Sequence, residues 1–356
     1  MRVVLAGGHG HGRWHLENLR RLEGLVELAG ICDLAPVPGA EVPQSPDLAG
    51  LIRATAADIA IIATPIPTHP ALTLTALAEG AHVLLEKPTT ATWAEYERLL
   101  AGTAAAAPAC QVGFQSLGSA AIAAARAEIA RGAIGEVRGI GVAGSWRREW
   151  SYFTRARWSG RRRLDGVDVV DGALTNPFAH AVATALAVDG SEGPDDVGAV
   201  ELELFHAYPI ESDDTSALRL RTAKGTVITV AVTLCATARS EPYLLVHGTE
   251  GVLKLVYTRD EITVNGVTTV HPRTDLLENL VAHVRGEAAL IVPPERTAAF
   301  MRVLEAVRTA PDPRPIPEAF VAADAAGRTV PGVEELVARS AMGLALFSEL
   351  GEEWAA

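Results

Sequence analysis

Six residues near the N-terminus, Gly7-Gly8-His9-Gly10-His11-Gly12, restrict this chain more than any other feature. Before them runs Arg2-Val3-Val4-Leu5-Ala6, an apolar stretch of strand character, and after them Trp14 to Leu22 reads as a helix. A glycine turn between a strand and a helix brings backbone N–H groups and a helix N-terminus up to a ligand, a geometry suited to a pyrophosphate. Against the spacing G-x-G-x-x-G, Gly7 and Gly12 fit the outer positions and His9 departs at the middle one. There a side chain stands where backbone should approach phosphate closely, with Gly8 and Gly10 able to reposition the turn. Alone, such a motif is weak, because glycine turns are common.

The next hundred residues give the turn a context. Leu28-Ala29-Gly30-Ile31-Cys32, Ile59-Ala60-Ile61-Ile62-Ala63, His82-Val83-Leu84-Leu85 and Cys110-Gln111-Val112-Gly113-Phe114 are short, continuously apolar runs, with helical segments at Pro70 to Glu79 and Trp93 to Leu100. Runs without polar alternation, separated by helices, predict a parallel sheet covered on both faces, so residues 1–118 are expected to form a doubly wound α/β domain of Rossmann type. Asp33 closes the second run, about 20 residues beyond the glycines, where a carboxylate can accept from a ribose 2′-hydroxyl. No Arg or Lys lies in Leu34 to Val42 to meet a 2′-phosphate, which favours NAD over NADP.

After Ser119 the texture changes. A helix from Ala120 to Arg131 stops at Gly132, and strands then dominate at Glu136 to Trp146, Val197 to His206, Ala217 to Thr222 and Thr226 to Leu234. Asn265-Gly266, between Ile262-Thr263-Val264 and Val267-Thr268-Thr269, predicts a tight hairpin because both residues tolerate positive φ. Leu218 and Leu220 alternate with Arg219 and Arg221, the pattern of a sheet with one wet face. Helices are expected at Asp275 to Val284, Pro294 to Thr309 and Val333 to Leu350. Residues 119–356 are therefore read as one α+β domain with a mostly antiparallel open sheet, its last helix free to pack back on the first domain. A partner could cover the wet face, so a homodimer or homotetramer is expected.

A chain of 356 residues with 49% hydrophobic and 21% charged residues can build two cores and is not disordered. Its net charge of -12 argues against a nucleic-acid-binding surface. The run Arg155, Arg157, Arg161, Arg162 and Arg163 reads first as a solvated loop with acids nearby, and second as a seat for an anionic group or a neighbouring subunit. Cys32, Cys110 and Cys235 are odd in number and far apart, so neither disulfides nor a zinc site is expected, and no metal is assigned. The start of the chain lacks the apolar region of a signal peptide and no segment has transmembrane length, which predicts a cytoplasmic protein without a membrane partner.

Further motifs bring in a family. Gly12 and His15 continue the glycine turn as G-x-x-H, Ala63-Thr64-Pro65 with His69 gives ATP-x-x-x-H, and Glu86-Lys87-Pro88 comes directly after the fourth run. Gly132-Ala133-Ile134-Gly135-Glu136-Val137 fits GxIGxV. In this order the motifs resemble those of the Gfo/Idh/MocA oxidoreductases, across most of the chain. The resemblance implies cofactor contacts from Gly7, His9, Gly10, His11, Gly12, Asp33, Thr64, Pro65, His69, Glu86 and Lys87. It also implies a catalytic Lys87, whose ammonium can hydrogen-bond a reacting hydroxyl and stabilise alkoxide charge.

The family's G-x-x-x-D-x-x-x-H run is matched by Gly172 to His180 with Asn176 in place of Asp. Asn176 is expected to cap a helix with Pro177 in its first turn, on one face with His180. An asparagine can orient a hydroxyl but cannot take its proton, which leaves His180 as general base or acid. Asp171 could supply a carboxylate, but its offset does not fit the motif. Trp146, Arg147, Trp150, Tyr152 and Trp158 gather aromatic faces and polar groups in a chain with only 5% aromatics, which suits a sugar or polyol ring, and equally a core. The expectation is a dehydrogenase or reductase of a secondary alcohol or ketone on a sugar, sugar acid or cyclitol. The alternatives are an NAD-dependent glycoside hydrolase, a regulator that senses dinucleotide or sugar without turnover, and a reductase of a non-sugar carbonyl or of a cyclic imine or pyrrole-type ring.

Overall fold

A computed structural model describes residues 1–356 as two compact units, 1–118 with 274–297 and 119–273 with 298–356. No helix is long and apolar enough to cross a membrane.

In the first unit β1 (Arg2–Ala6), α1 (Gly12–Arg21), β2 (Glu27–Cys32), β3 (Gln44–Ser45), α2 (Leu48–Thr55), β4 (Ile59–Ile62), α3 (His69–Ala78), β5 (His82–Leu85), α4 (Trp93–Ala105) and β6 (Cys110–Val112) succeed one another. The sheet is wholly parallel, in the order β3-β2-β1-β4-β5-β6. Val3, Val4, Leu5, Ile59, Ile61, Ile62, Val83 and Leu85 have no exposed surface, which is why these strands read as unbroken apolar runs. Local signals set the helix starts. Asp47 accepts from the Gly50 N–H at 3.0 Å ahead of α2, and Thr92 from the Glu95 N–H at 3.2 Å ahead of α4. The order of strands reverses between β1 and β4, so the turns after those strands flank the crevice where doubly wound sheets hold ligands. The edge strand β3 was not expected; two residues, neither of them buried, carry no periodicity to read.

The second unit begins with α5 (Ala120–Ala130), β7 (Val137–Ser145), α6 (Trp150–Thr154), β8 (Arg163–Leu164), β9 (Val167–Asp168) and α7 (Ala179–Asp189). It continues through β10 (Val197–His206), β11 (Thr215–Thr222), β12 (Val227–Thr233), β13 (Tyr243–Gly248), β14 (Val252–Val256), β15 (Glu261–Val264) and β16 (Val267–Val270). The chain then passes through α8 (Leu276–Val284), part of the first unit, and comes back with α9 (Ala298–Thr309), β17 (Arg314–Pro315) and α10 (Val333–Gly343). The large sheet runs β16-β15-β14-β13-β7-β12-β11-β10-β17. It is mixed: β7–β12 and β10–β17 pair parallel, the other neighbours antiparallel. The hairpin at Asn265-Gly266 has φ of 50° and 79° at the two residues.

Two expectations about this half of the chain are corrected. A single division at 118/119 misses the return of 274–297 to the first unit. There Gln111 donates to the Leu276 carbonyl at 2.6 Å and accepts from the Val292 N–H at 3.0 Å, while the Tyr96 hydroxyl donates to Pro294 O at 2.7 Å. The last helix, in turn, packs within the second unit. Gly139 and Gly141 of β7 leave room for it, since a Cβ on Gly141 would lie 1.8 Å from the Ala341 carbonyl oxygen. Val333, Leu336, Val337, Ala341, Phe347 and Trp354 join Phe205, Ala217 and Ala231 in one core. Arg219, expected in water, pairs with Glu201 and with Glu349 of the C-terminal segment, each at 2.8 Å. The C-terminal segment thus covers this face over β7, β12 and β13, while Val252 and Lys254 of β14 and all of β16 stay exposed.

Candidate active site

The glycine turn is built by close approach. Gly7 has φ +89°, and a Cβ there would lie 2.6 Å from the Ala63 carbonyl oxygen at the end of β4. A Cβ on Gly12 would lie 1.8 Å from Gly7 O, so only glycine lets α1 start directly over the turn. The N–H groups of Gly12, Arg13 and Trp14 donate to the carbonyls of His9, Gly10 and His11, bonds that do not use the N–H groups of those three residues. His9 is exposed, and His11, at the cap position before α1, makes no side-chain capping bond. The residues therefore fit a pyrophosphate held by backbone and helix N-terminus, and His9 in the middle position does not fill the turn. Asp33 stands beside it: Oδ2 accepts from the Gly8 N–H at 2.8 Å and Oδ1 from the Ala35 N–H at 3.1 Å. A carboxylate has lone pairs beyond these two bonds, so it retains acceptor capacity for a ribose hydroxyl.

The other motif residues divide into supports and presented groups. His69 is 1% exposed, with Nδ1 at 2.9 Å from Pro88 O and Nε2 at 2.8 Å from Thr64 O. It ties the turn after β4 to the turn after β5, so its expected contact with cofactor is corrected to a strut beneath Thr64 and Pro65. Burial lowers its pKa against the opposing pull of the backbone hydrogen bonds. Glu86 is buried too, with His15 Nε2 at 2.9 Å and His11 Nε2 at 3.5 Å from Oε1. Burial opposes ionisation of this carboxyl, but the hydrogen bonds and charge of His11 and His15 outweigh it and hold the pKa well below the usual range. Glu86 is thus a positioning group: its Oε2 accepts from the Lys87 N–H at 3.2 Å. Lys87 itself is half-buried at the carboxyl end of β5.

His11, His15 and Glu86 bring three possible ligand atoms within 4.8 Å of one another; the histidines are one helical turn apart in sequence, whereas the approach of Glu86 is set by the fold. A metal-bound imidazole normally donates its second N–H to an acceptor, whereas His15 Nδ1 is buried without a hydrogen-bond partner. The donor set fits a hydrogen-bonded brace for Glu86 better than a metal centre.

In the second unit, α7 is buried along its length except at His180 and Asp189. His180 is half-buried in its first turn. Asn176 does not cap this helix, as expected from Pro177; the cap position is Phe178, without a side-chain bond. Asn176 instead lies in an irregular turn, where its N–H donates to Gly172 O at 3.0 Å and its carbonyl accepts from the Ala179 N–H at 3.3 Å. Its Nδ2 donates to Asp171 Oδ1 at 2.6 Å. Asp171, set aside because its offset fails the motif, is therefore the carboxylate in contact with Asn176. Its signal was its proximity in sequence; spacing on an ideal helix misled because residues 171–178 are not helical.

The aromatic stretch forms a ladder of cations and rings. The Arg148 guanidinium lies 5.0 Å from the Trp146 ring centre and 4.5 Å from that of Tyr152, and Arg155 lies 3.7 Å from Tyr152 and 4.8 Å from Trp158. Trp146 also packs on Phe178 at 4.4 Å between centroids, and Gly144 makes room for that ring. Arg147 pairs with Asp324 at 2.5 Å and Trp150 meets Tyr208 edge-on at 4.9 Å. The arginine run is compensated: Arg157 pairs with Asp165, Arg161 with Glu211 and Arg163 with Asp168. Arg162 donates to the carbonyls of Val307, Arg308, Ala310 and Pro311 at the end of α9. A cavity of about 560 Å³ bordered by Arg162, Asp168, His206 and Arg308, and another of about 540 Å³ beside Met1, Leu19 and Leu25, hold none of the expected site residues. Cys32, Cys110 and Cys235 are free and buried.

A glycine turn at the switch point, a carboxylate after β2 and a lysine after β5 define a dinucleotide-binding site on a doubly wound sheet. The chain belongs to the Gfo/Idh/MocA oxidoreductases: residues 1–114 match the oxidoreductase family with an NAD-binding Rossmann fold, and residues 122–254 match the GFO/IDH/MocA C-terminal domain. It is 26% identical over 226 residues to levoglucosan dehydrogenase of Pseudarthrobacter phenanthrenivorans, covering 57% of this chain and 56% of that protein. It is 28% identical over 120 residues to 4-carboxy-2-hydroxymuconate-6-semialdehyde dehydrogenase of a Sphingobium species, covering 32% and 38%. The chain thus spans about half the length, or less, of these curated relatives. Among solved structures, the WlbA dehydrogenase from Bordetella pertussis, in complex with NADH and UDP-GlcNAcA, superposes with a TM-score of 0.72 at 22% identity, over 86% of this chain and 95% of that one. An oxidoreductase from Thermotoga maritima gives 0.74 at 16% identity over 94% and 99%. These structural likenesses concern the fold.

Proposed function

We propose that the protein is an NAD-dependent dehydrogenase or reductase acting on a secondary alcohol or ketone of a sugar, sugar acid or cyclitol. The observation that carries this reading is Lys87, held by its backbone to a buried, ionised Glu86 at the carboxyl end of β5. The bound nicotinamide supplies the hydride acceptor or donor. The turn from Gly7 to Gly12 and the start of α1 hold the pyrophosphate, and Asp33 accepts from the ribose, in keeping with NAD over NADP. The Lys87 ammonium hydrogen-bonds the substrate oxygen and stabilises charge that develops there. His180 takes the hydroxyl proton in oxidation and returns it in reduction, with Asn176 orienting the hydroxyl. The dehydrogenase names of both curated relatives support the reaction class, and the name levoglucosan dehydrogenase supports the substrate class. The test is turnover with NAD(H) on a panel of sugars and polyols, which Lys87→Ala should abolish while dinucleotide binding persists. Sugar release without net NADH change would point to a hydrolase, and binding without turnover to a regulator.

A further inference from the structure

Asn176 stands where the family motif has a carboxylate, and a carboxylate sits directly behind it. Asp171 is buried and its Oδ1 receives Asn176 Nδ2 at 2.6 Å. Its Oδ2 accepts from the Gly160 N–H at 2.8 Å and lies 3.4 Å from the Arg155 guanidinium. An ionised carboxylate can only accept, so the carboxamide has one allowed orientation. The flipped amide would set two oxygens 2.6 Å apart with no proton between them. The backbone around the pair is fixed as well. Val170, buried and β-branched, has φ +46°, a costly conformation that the surroundings must impose. The Thr175 hydroxyl donates to Val170 O at 2.5 Å, and a Cβ on Gly172 would lie 1.8 Å from Asp213 Oδ1.

We infer that Asp171 is a positioning residue that locks the Asn176 carboxamide with its oxygen turned away from Asp171, so that the pair presents a fixed neutral acceptor in place of the motif's carboxylate. This rests on the function proposed above. A substrate hydroxyl donates to the Asn176 oxygen, which orients it without competing with His180 for the proton. The charged and titratable groups facing Asp171 are Arg155 and Tyr152, with Asp213 behind Gly172. Tyr152 is pushed up to about 12 by burial first and by the Asp171 charge second.

The experiment compares the parent chain, D171N, N176D and the exchange D171N/N176D. Thermal unfolding at pH 7 and pH 5 reads the lock. N176D places two carboxylates together and should melt lower than the parent by at least about 4 °C at pH 7, less so at pH 5 where one proton can be shared. The exchange restores a carboxylate facing an amide and should recover most of that loss. An N176D protein as stable as the parent at pH 7, or an exchange no better than N176D, overturns the lock. Turnover reads the function of the lock. D171N should lower kcat by on the order of tenfold, with the KM for NAD unchanged, because its amide lets Asn176 turn over. The exchange should regain rate and add a low-pH limb to the kcat profile from the Asp now at 176. Unchanged kcat in D171N, with the lock confirmed by melting, overturns the positioning role. A parent without turnover on any substrate would instead sink the proposed function, and the melting series would still decide the lock.

Discussion

Replacing His15 with alanine removes the nearer of the two histidines that hold Glu86. In the parent protein His15 Nε2 lies 2.9 Å from Glu86 Oε1, and the two side chains are 0% and 7% exposed. The remaining partner, His11, is 3.5 Å away and 57% exposed. A carboxylate kept in that place without its main partner is a buried charge left largely uncompensated, which costs roughly 3–5 kcal/mol. Removing the charge as well, in H15A/E86Q, leaves a neutral amide whose burial costs less, about 1–3 kcal/mol. The double variant should therefore be the more stable of the two. The dependence on pH has a definite sign. Burial acts to raise the Glu86 pKa, the histidines more than reverse this, and the folded value lies below the unfolded one. The stability this provides is present above about pH 4.3 and is lost as the pH falls through the folded value. In H15A the folded value rises, so its deficit should be largest at pH 7 and shrink below about pH 5 as Glu86 takes up a proton. Urea unfolding of the three proteins at pH 7 and 4.5 reads all of this. A deficit under about 1 kcal/mol, an equal deficit at both pH values, or no relief from E86Q would refute the reasoning.

The packing yields three further expected outcomes. Asp214 is raised by burial to about 6 from 3.8 despite the N–H groups of Ala207 and Tyr208 on its oxygens. Its folded pKa exceeds the unfolded one, so this group's contribution falls as pH rises from about 4 to 6, by roughly 3 kcal/mol. The stability of D214N relative to the parent should improve by that order between pH 4 and 7, and an unchanged difference in calorimetric unfolding would count against it. In the glycine turn, G7A meets both positive φ and the Ala63 carbonyl, whereas Gly10, at φ +57°, has nothing within 4 Å of an added Cβ. G10A should cost only about 1–2 kcal/mol of backbone strain and G7A clearly more, with weaker NAD binding by titration; equal effects would contradict the close-approach account. Trp354 meets Phe205 edge-on at 4.8 Å and Phe347 at 5.7 Å, so W354A should lose about 3–5 kcal/mol in denaturant unfolding, and a loss under 1 kcal/mol would mean the C-terminal segment does not close the core.

How much of the fold could be read from residues alone depended on how local the cause was. β10 was legible from end to end because its pattern is its own, and the hairpin at Asn265-Gly266 because two adjacent residues set it. The doubly wound sheet was legible because burial on both faces leaves unbroken apolar runs. The return of 274–297 to the first unit was not, since the Leu276, Leu277, Leu280 and Val281 of α8 announce a buried face without saying what covers it. The cover of the large sheet by α10 was hidden in Gly139 and Gly141, which look like ordinary strand weakeners until the helix they admit is seen. In the site, the motifs were legible as spacings, but the surroundings of each side chain were not. His69 carries the cofactor spacing yet serves as a buried strut, and Asp171 fails the helical offset because the segment before α7 is an irregular turn.

The central claim is most directly tested by titrating NAD(H) and NADP(H) into the purified chain by calorimetry and then monitoring nicotinamide absorbance across a panel of sugars, sugar acids and cyclitols, with Lys87→Ala alongside. The account predicts tighter binding of NAD(H) than NADP(H), and turnover on at least one secondary alcohol that disappears in Lys87→Ala while NAD(H) binding remains. Failure to bind either dinucleotide, or turnover undiminished in Lys87→Ala, would contradict it.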